Sequence, residues 1–136
     1  QMPFTMERRE TFSSAHRLHS PAMSNEENKK VYGKCNNPNG HGHNYVWRVI
    51  LKGEVDARTG MLYDLAALKK EMAEVMDIVD HKHLDKDVEY FKSVPSTSEN
   101  LVRFLYDSIK NRLGRPELLK ECMLHETEKN VFTYSE

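Results

Sequence analysis

The sequence predicts an α+β fold, in which two helices pack on one face of a four-stranded antiparallel sheet in the order β-β-α-α-β-β. Apolar and polar residues alternate near both ends of the chain, as they do in strands. The middle of the chain instead repeats apolar residues at helical spacing. No internal repeat or low-complexity linker divides the 136 residues, so we expect one domain over residues 1–136.

Two strands are predicted in the first part of the chain. Phe4, Met6 and Phe12 lie at even spacing and predict a strand over residues 4–14. The second strand, over residues 42–51, carries large side chains on both faces. We therefore expect both of its faces to be buried, and a second subunit is one way to cover the outer face. The turn at residues 56–60 ends this strand.

Two helices follow. The first begins at Asp64, and its apolar stripe is Leu65, Leu68, Met72, Val75, Met76 and Val79. The second begins near Ser96, because a hydroxyl followed three residues later by Glu99 resembles a capping box. Gly114 and Pro116 end the second helix. Its apolar stripe is Leu101, Val102, Leu105, Ile109 and Leu113.

The remaining segments complete the expected fold. Two strands are predicted over about residues 118–127 and 130–135, joined by a short turn. Residues 20–39 show no regular period, and we expect them to form a long loop. A loop of that length inside a compact domain usually has a function.

Composition excludes several classes of protein. The formal charge is -1, and basic residues are scattered among acidic ones, which argues against nucleic acid as a partner. No apolar stretch approaches the roughly 20 residues that a membrane span requires. The two cysteines form no Cys-x-x-Cys pair, which argues against a disulfide scaffold or a zinc ribbon. A reducing compartment, the cytosol, is the expected location.

Three histidines form a candidate metal site. His41 and His43 are two residues apart, so on a strand both project from one face. His16 lies at the end of the first predicted strand, which would be the antiparallel neighbour. Three nitrogen ligands leave one tetrahedral position open to water or substrate, as catalytic zinc requires. The alternative for any one of them is a polar loop histidine.

Cys35 has two interpretations. As a fourth ligand it would close the site and make it structural, and the chain would then be a zinc-stabilised interaction module. As a non-ligand it needs a partner, since an ordinary thiol has a pKa of about 8.5. Asp80 and His81 are candidates, because a carboxylate can orient an imidazole that then accepts the thiol proton. The alternative is that these two residues merely end a helix.

A series of motifs resembles those of the 6-pyruvoyl-tetrahydropterin synthase family, in the same order along essentially the whole chain. The motifs are FSSAHRLH at 12–19, KCNNPNGHGHNY at 34–45, GMLYDL at 60–65, DHKHL at 80–84, STSEN at 96–100 and HET at 125–127. The combination is specific because it joins a metal-binding strand, a cysteine at fixed spacing and an acidic residue at a strand end.

The resemblance implies a tunnelling fold. In that family the four-stranded sheets of three subunits close into a barrel, two trimers stack into a homohexamer, and the active sites lie at subunit interfaces. By similarity, zinc is bound by His16, His41 and His43. The implied catalytic and substrate-binding residues are Cys35 as proton acceptor, Asp80 and His81 as its charge relay, Glu126 as the anchor of the pterin ring, and Thr97, Ser98 and Glu99 as further substrate contacts.

The implied reaction is that of a carbon-oxygen lyase. Triphosphate is eliminated from 7,8-dihydroneopterin triphosphate to give 6-pyruvoyl-tetrahydropterin, in tetrahydrobiopterin biosynthesis. The nearest alternative is 6-carboxy-tetrahydropterin synthase, which shares the fold, the zinc and the substrate but releases a two-carbon fragment. In that enzyme the cysteine usually stands closer to the His-Gly-His motif, so the residues between Cys35 and His41 favour the pyruvoyl enzyme.

Overall fold

The computed structural model describes residues 3–136, and within them helices cover one face of a mixed sheet. The strands are β1 (Phe4–His16), β2 (His41–Gly53), β3 (Lys82–His83), β4 (Leu119–His125) and β5 (Val131–Tyr134). The α-helices are α1 (Asn25–Tyr32), α2 (Leu65–Val79), α3 (Leu84–Asp87) and α4 (Ser98–Lys110). Short 3-10 turns occupy Gly33–Asn36, Glu89–Lys92 and Pro116–Leu118. The α+β prediction is confirmed.

The sheet has five strands in the order β3-β1-β2-β4-β5, which corrects the predicted four-stranded antiparallel sheet. β1 and β2 pair antiparallel without a break, from Phe4 opposite Gly53 to His16 opposite His41. The extra strand, β3, runs parallel to β1 for only two residues. A pairing that short has no periodicity in sequence, so the alternation of apolar residues could not indicate it.

The two long helices lie where the sequence predicted them, although the start of α4 differs. Asp64 caps α2 by accepting a hydrogen bond from the amide of Ala66. The cap of α4 is Thr97, whose Oγ1 accepts from the amide of Asn100, so the capping box predicted at Ser96 is wrong by one residue. The Ser96 hydroxyl has another partner, since it donates to a carboxylate outside the helix.

The segment over residues 20–39 is not the single long loop that was predicted. It contains α1, capped by the Ser24 hydroxyl, and the 3-10 turn Gly33–Asn36. Asn28 is the buried residue of α1, and its amide donates to the carbonyls of Ser20 and Ser24. Because α1 buries this amide instead of a row of apolar side chains, the sequence shows no apolar stripe at helical spacing.

The core lies between the helices and one face of the sheet. Tyr45, Trp47, Val49 and Leu51 of β2 are fully buried on this inner face. On the outer face Ile50 is buried, whereas Arg48 is half-buried and paired with Glu7. Complete burial of both faces is therefore not reached within one chain. No helix among residues 3–136 is both long and apolar enough to cross a membrane.

Candidate metal centre and substrate site

The three predicted histidines converge at one end of the sheet. His16 ends β1, and His41 and His43 begin β2, so the pairing of the two strands brings them together. One ligand atom of each ring lies within 4.8 Å of those of the other two. The Nε2 atoms of His16 and His41 are 3.0 Å apart. The prediction that these residues could form a metal site is confirmed.

The geometry of the three rings fits a divalent metal ion. Tetrahedral zinc with nitrogens at 2.0–2.1 Å places those nitrogens about 3.3 Å apart, close to the separation of His16 and His41. Burial lowers the pKa of both histidines below the ordinary value of 6.5, His16 being only 1% exposed. The neutral imidazole is the form that binds a metal. Imidazole donors suit zinc, copper, iron and nickel alike.

The orientation of His16 is set by a backbone contact. Its Nδ1 lies 2.8 Å from the carbonyl oxygen of Ser96, which can only accept a hydrogen bond. The proton therefore resides on Nδ1, and the lone pair of Nε2 points toward the other two histidines. Metal-binding histidines are commonly oriented by a partner of this kind.

Glu126 lies beside the histidines, immediately after β4. One carboxylate oxygen accepts a hydrogen bond from the Ser98 hydroxyl, and the other is 4.0 Å from Nε2 of His43. Ser98 is the first residue of α4, and Thr97 is its cap, so the amino end of α4 covers Glu126. Glu99 is exposed in the first turn of the same helix. The site therefore combines a metal-binding group with an adjacent carboxylate acceptor.

Cys35 is joined by its backbone to the segment that follows His16, but it is not one of the converging ligands. It lies in the 3-10 turn Gly33–Asn36, and its carbonyl accepts a hydrogen bond from the amide of Leu18. The buried Asn36 donates to the carbonyl of Leu18, and Arg17 donates to the carbonyl of Asn36. The group of metal-ligating atoms found in residues 3–136 contains only the three histidines. Residues 3–136 of one chain therefore do not form a closed four-ligand site.

Asp80 and His81 lie at the end of α2, next to β1. The carboxylate of Asp80 accepts a hydrogen bond from the Ser13 amide and is 2.9 Å from Nδ1 of His81. The Ser13 hydrogen bond, followed by that of His81, lowers the pKa of Asp80. His81 has a φ of 59°, which is uncommon for a residue other than glycine, and its side chain is 84% exposed.

His81 and His43 line one cavity of about 460 Å³. Within the described residues, no hydrogen bond joins the thiol of Cys35 to Asp80 or His81. One chain thus assembles the three histidines and Glu126, but it does not bring the predicted catalytic triad into hydrogen-bond contact.

Sequence reasoning missed three polar residues around this site. Ser96 and Asp85 form a hydrogen-bonded pair behind His16. Tyr45 is fully buried with its ring against that of His43, and its hydroxyl has no hydrogen-bond partner in residues 3–136. Burial is the largest cause of the raised pKa of Tyr45. Tyr45 and Ser96 lie in the motifs at 34–45 and 96–100, but no spacing rule links Ser96 or Asp85 to the histidines.

The helix-covered sheet, with three histidines converging at one end, matches the tunnelling-fold class of proteins. The family model described as 6-pyruvoyl tetrahydropterin synthase matches residues 5–136. The chain belongs to the 6-pyruvoyl tetrahydropterin synthase family.

Relatives and solved structures agree with this assignment. The chain is 53% identical to 6-pyruvoyl tetrahydrobiopterin synthase of Drosophila melanogaster, over 93% of this chain and 76% of the relative. It is 49% identical to the Homo sapiens protein of that name, over 93% of this chain and 88% of the relative. The solved structure of Caenorhabditis elegans 6-pyruvoyl tetrahydropterin synthase superimposes with a TM-score of 0.97 and is 56% identical in sequence. The match covers 98% of this chain and 96% of that chain. The solved structure of Plasmodium falciparum 6-pyruvoyl tetrahydropterin synthase has a TM-score of 0.70 and is 14% identical in sequence. The match covers 100% of this chain and 99% of that chain, and it supports the fold alone.

Proposed function

We propose that this chain is a zinc-dependent lyase that converts 7,8-dihydroneopterin triphosphate to 6-pyruvoyl-tetrahydropterin and triphosphate, in tetrahydrobiopterin biosynthesis. The observation that carries the proposal is the convergence of His16, His41 and His43 beside the carboxylate of Glu126. It supports the proposal of a Lewis-acid site directly beside a pterin-recognition group. Membership of the family supports the same reaction.

The chain's own residues divide the chemistry among them. Zinc held by His16, His41 and His43 would act as a Lewis acid that makes a C–H bond beside a ligated hydroxyl more acidic. Cys35 is proposed to accept the proton as a thiolate. Asp80 holds its neighbour His81 by a contact of 2.9 Å and is proposed to orient that imidazole toward the thiol. The triphosphate leaves with the electron pair of its C–O bond. Protonation of the ring carbon completes an internal redox step, in which the side chain is oxidised and the ring is reduced, so no external hydride donor is required.

Glu126 is proposed to anchor the pterin ring. A carboxylate can accept two hydrogen bonds, from the ring amino group and the adjacent N–H. The hydrogen bond from Ser98 already fixes the orientation of this carboxylate. The first residues of α4, Thr97, Ser98 and Glu99, are proposed as further substrate contacts, because they lie at the helix end that covers Glu126.

The active enzyme is proposed to be a homohexamer of two stacked trimers, with the chain as a single domain over residues 1–136. Two features support an interfacial site. His81, the proposed catalytic residue, is highly exposed in one chain, and β3 pairs with β1 at Ser14 and Ala15. Another subunit can pair with the rest of that edge. Cys35 and Cys122 are free thiols, which suits the cytosol, a reducing compartment.

The test is a product assay with the purified, zinc-loaded chain. After incubation with 7,8-dihydroneopterin triphosphate, we expect one triphosphate for each 6-pyruvoyl-tetrahydropterin formed, with no added nicotinamide or flavin. Release of acetaldehyde with a 6-carboxy pterin would instead identify the related carboxy enzyme. Absence of turnover by a hexameric, zinc-loaded protein would refute the proposal.

A further inference from the structure

Asp85 makes two hydrogen bonds to segments far from it in sequence. One carboxylate oxygen accepts from the backbone amide of Arg17 at 2.6 Å, and the other accepts from the Ser96 hydroxyl at 2.7 Å. Asp85 lies in the first turn of α3, but neither of these donors belongs to that helix. The carboxylate therefore does not cap α3, and it joins the end of β1 to the segment before α4.

Ser96 connects this carboxylate to the metal centre. It is fully buried, and its carbonyl oxygen is the acceptor that fixes Nδ1 of His16. Its hydroxyl oxygen also lies 3.4 Å from the same nitrogen. Because the hydroxyl proton is donated to Asp85, the hydroxyl oxygen presents only lone pairs to His16. The result is a continuous chain of contacts from Asp85 through Ser96 to His16.

The second oxygen of Asp85 acts on the other side of His16. It holds the amide of Arg17, the residue that directly follows His16. The imidazole is thus restrained at its own backbone and at its Nδ1 atom by one carboxylate. A side chain held in this way stays in one rotamer and one tautomer, which is what a metal ligand requires.

We propose that Asp85 is a positioning residue of the metal centre, which acts through Ser96 and Arg17 to hold His16 with Nε2 directed at the metal. This inference rests on the metal-binding role of the histidines in the proposed function. It adds a carboxylate that touches neither the metal nor the substrate. Partners of metal-binding histidines typically contribute 10–100-fold to metal affinity.

The experiment compares two carboxylates of the same short helix. Asp85→Asn removes one acceptor and the charge. The matched control Asp87→Asn alters a carboxylate that, within residues 3–136, accepts a hydrogen bond only from the His83 amide. Zinc affinity is measured on the purified full chain by competition with a chromogenic chelator. We expect Asp85→Asn to bind zinc about 10–100-fold more weakly and Asp87→Asn to stay within about twofold of the parent chain.

A second measurement separates positioning from a general loss of stability. In the metal-free parent protein, the ring nitrogen shifts of His16 should report a proton on Nδ1, and in Asp85→Asn a mixture of tautomers. Should Asp85→Asn fail to fold, Ser96→Ala tests the same link, because it removes the hydroxyl and keeps the carbonyl. For Ser96→Ala we expect zinc binding about tenfold weaker.

The outcomes distinguish this inference from the proposed function. Unchanged zinc affinity together with an unchanged His16 tautomer, in Asp85→Asn or Ser96→Ala, would overturn the inference and leave the metal site intact. A parent chain that binds no zinc would overturn the proposed metal site itself, and the inference with it.

Discussion

His16 and His41 lie directly opposite each other across β1 and β2, with their Nε2 atoms 3.0 Å apart. The pairing that brings them together continues without a break to Phe4 and Gly53 at the far end of the strands. A slip of one residue would send every side chain of one strand to the other face of the sheet. The convergence of the three histidines is therefore defined by strand register, and it depends on the whole β1–β2 pair.

His41→Ala should abolish stoichiometric metal binding, because two imidazoles hold a metal far less tightly than three. The metal content of the purified protein, measured by elemental analysis, should fall from about one ion per chain to a small fraction of that value. The matched control is His125→Ala, a half-buried histidine of β4 that contacts Arg48 instead. One ion per chain in His41→Ala would contradict the assigned ligand set.

The histidine site was predictable from sequence because its spacing has only one geometric meaning on a strand. His41 and His43 must share a face, and an antiparallel neighbour that ends at His16 brings the third ring to them. Asp85 and Ser96 were not predictable in the same way. Their contact depends on how the chain returns from α2 to α4, and no periodic pattern describes that path.

The errors in the predicted fold also concern features that no periodic pattern describes. α2 has a clear apolar stripe, and its predicted start at Asp64 is confirmed. α1 is held by the buried amide of Asn28 and has no such stripe, so its sequence predicts a loop instead of a helix. The predicted cap of α4 was Ser96 and the observed cap is Thr97. Both residues carry a hydroxyl group, and the sequence does not show that the Ser96 hydroxyl is bound to Asp85 instead.

Cys35→Ala should abolish turnover and leave the metal bound. The sulfur lies outside the converging ligand group, so its removal takes away the proposed proton acceptor only. Cys122→Ala is the matched control, since Cys122 is buried in β4 and has no assigned catalytic role. Turnover and metal content are measured on the same preparation. Loss of metal in Cys35→Ala would contradict the role proposed here.

Glu126→Gln should weaken pterin binding about tenfold or more, because hydrogen bonds to a charged group contribute about 1.5–3 kcal/mol. Glutamine also replaces one acceptor oxygen with a donor. The affinity for neopterin can be followed by titration calorimetry, and the metal content should not change. Glu128→Gln is the control, since Glu128 is exposed in the turn between β4 and β5. Equal affinities in the two variants would refute the anchoring role.

Gly40→Ala should destabilise the turn that delivers His41 to the site. Gly40 has a φ of 77°, and a Cβ there would lie 3.0 Å from the carbonyl oxygen of His16. Gly60→Ala is the matched control, because its φ is 72° and its Cβ would meet no atom within 4 Å. Both variants carry backbone strain of about 1–3 kcal/mol. Gly40→Ala adds a tight contact with the backbone carbonyl of His16, which Gly60→Ala does not.

Chemical denaturation and zinc titration distinguish the two glycine variants. We expect Gly40→Ala to lose more unfolding free energy than Gly60→Ala, and to bind zinc more weakly as well. Equal losses of stability, with zinc affinity unchanged in both, would show that the space beside His16 does not constrain residue 40.

Glu7, on the outer face of the sheet, makes the free energy of unfolding dependent on pH. Its hydrogen bond with Arg48 is the largest cause of a pKa lowered from 4.5 to about 2. As pH falls below 4.5 the unfolded chain binds the proton first, so the free energy of unfolding should decrease between about pH 4.5 and 2. The pair is partly exposed and screened by solvent, so we expect this contribution to be about 1 kcal/mol at most.

Glu7→Gln should remove this part of the pH dependence, and Arg48→Met should remove most of it by eliminating the partner. Urea unfolding at a series of pH values measures the slope directly, with Glu7→Gln and the parent chain compared at equal protein concentration. Because the stabilisation is fully present only above pH 4.5, the two proteins should converge in stability as the pH approaches 2. Parallel curves across that range would show that Glu7 titrates alike in the folded and unfolded chains.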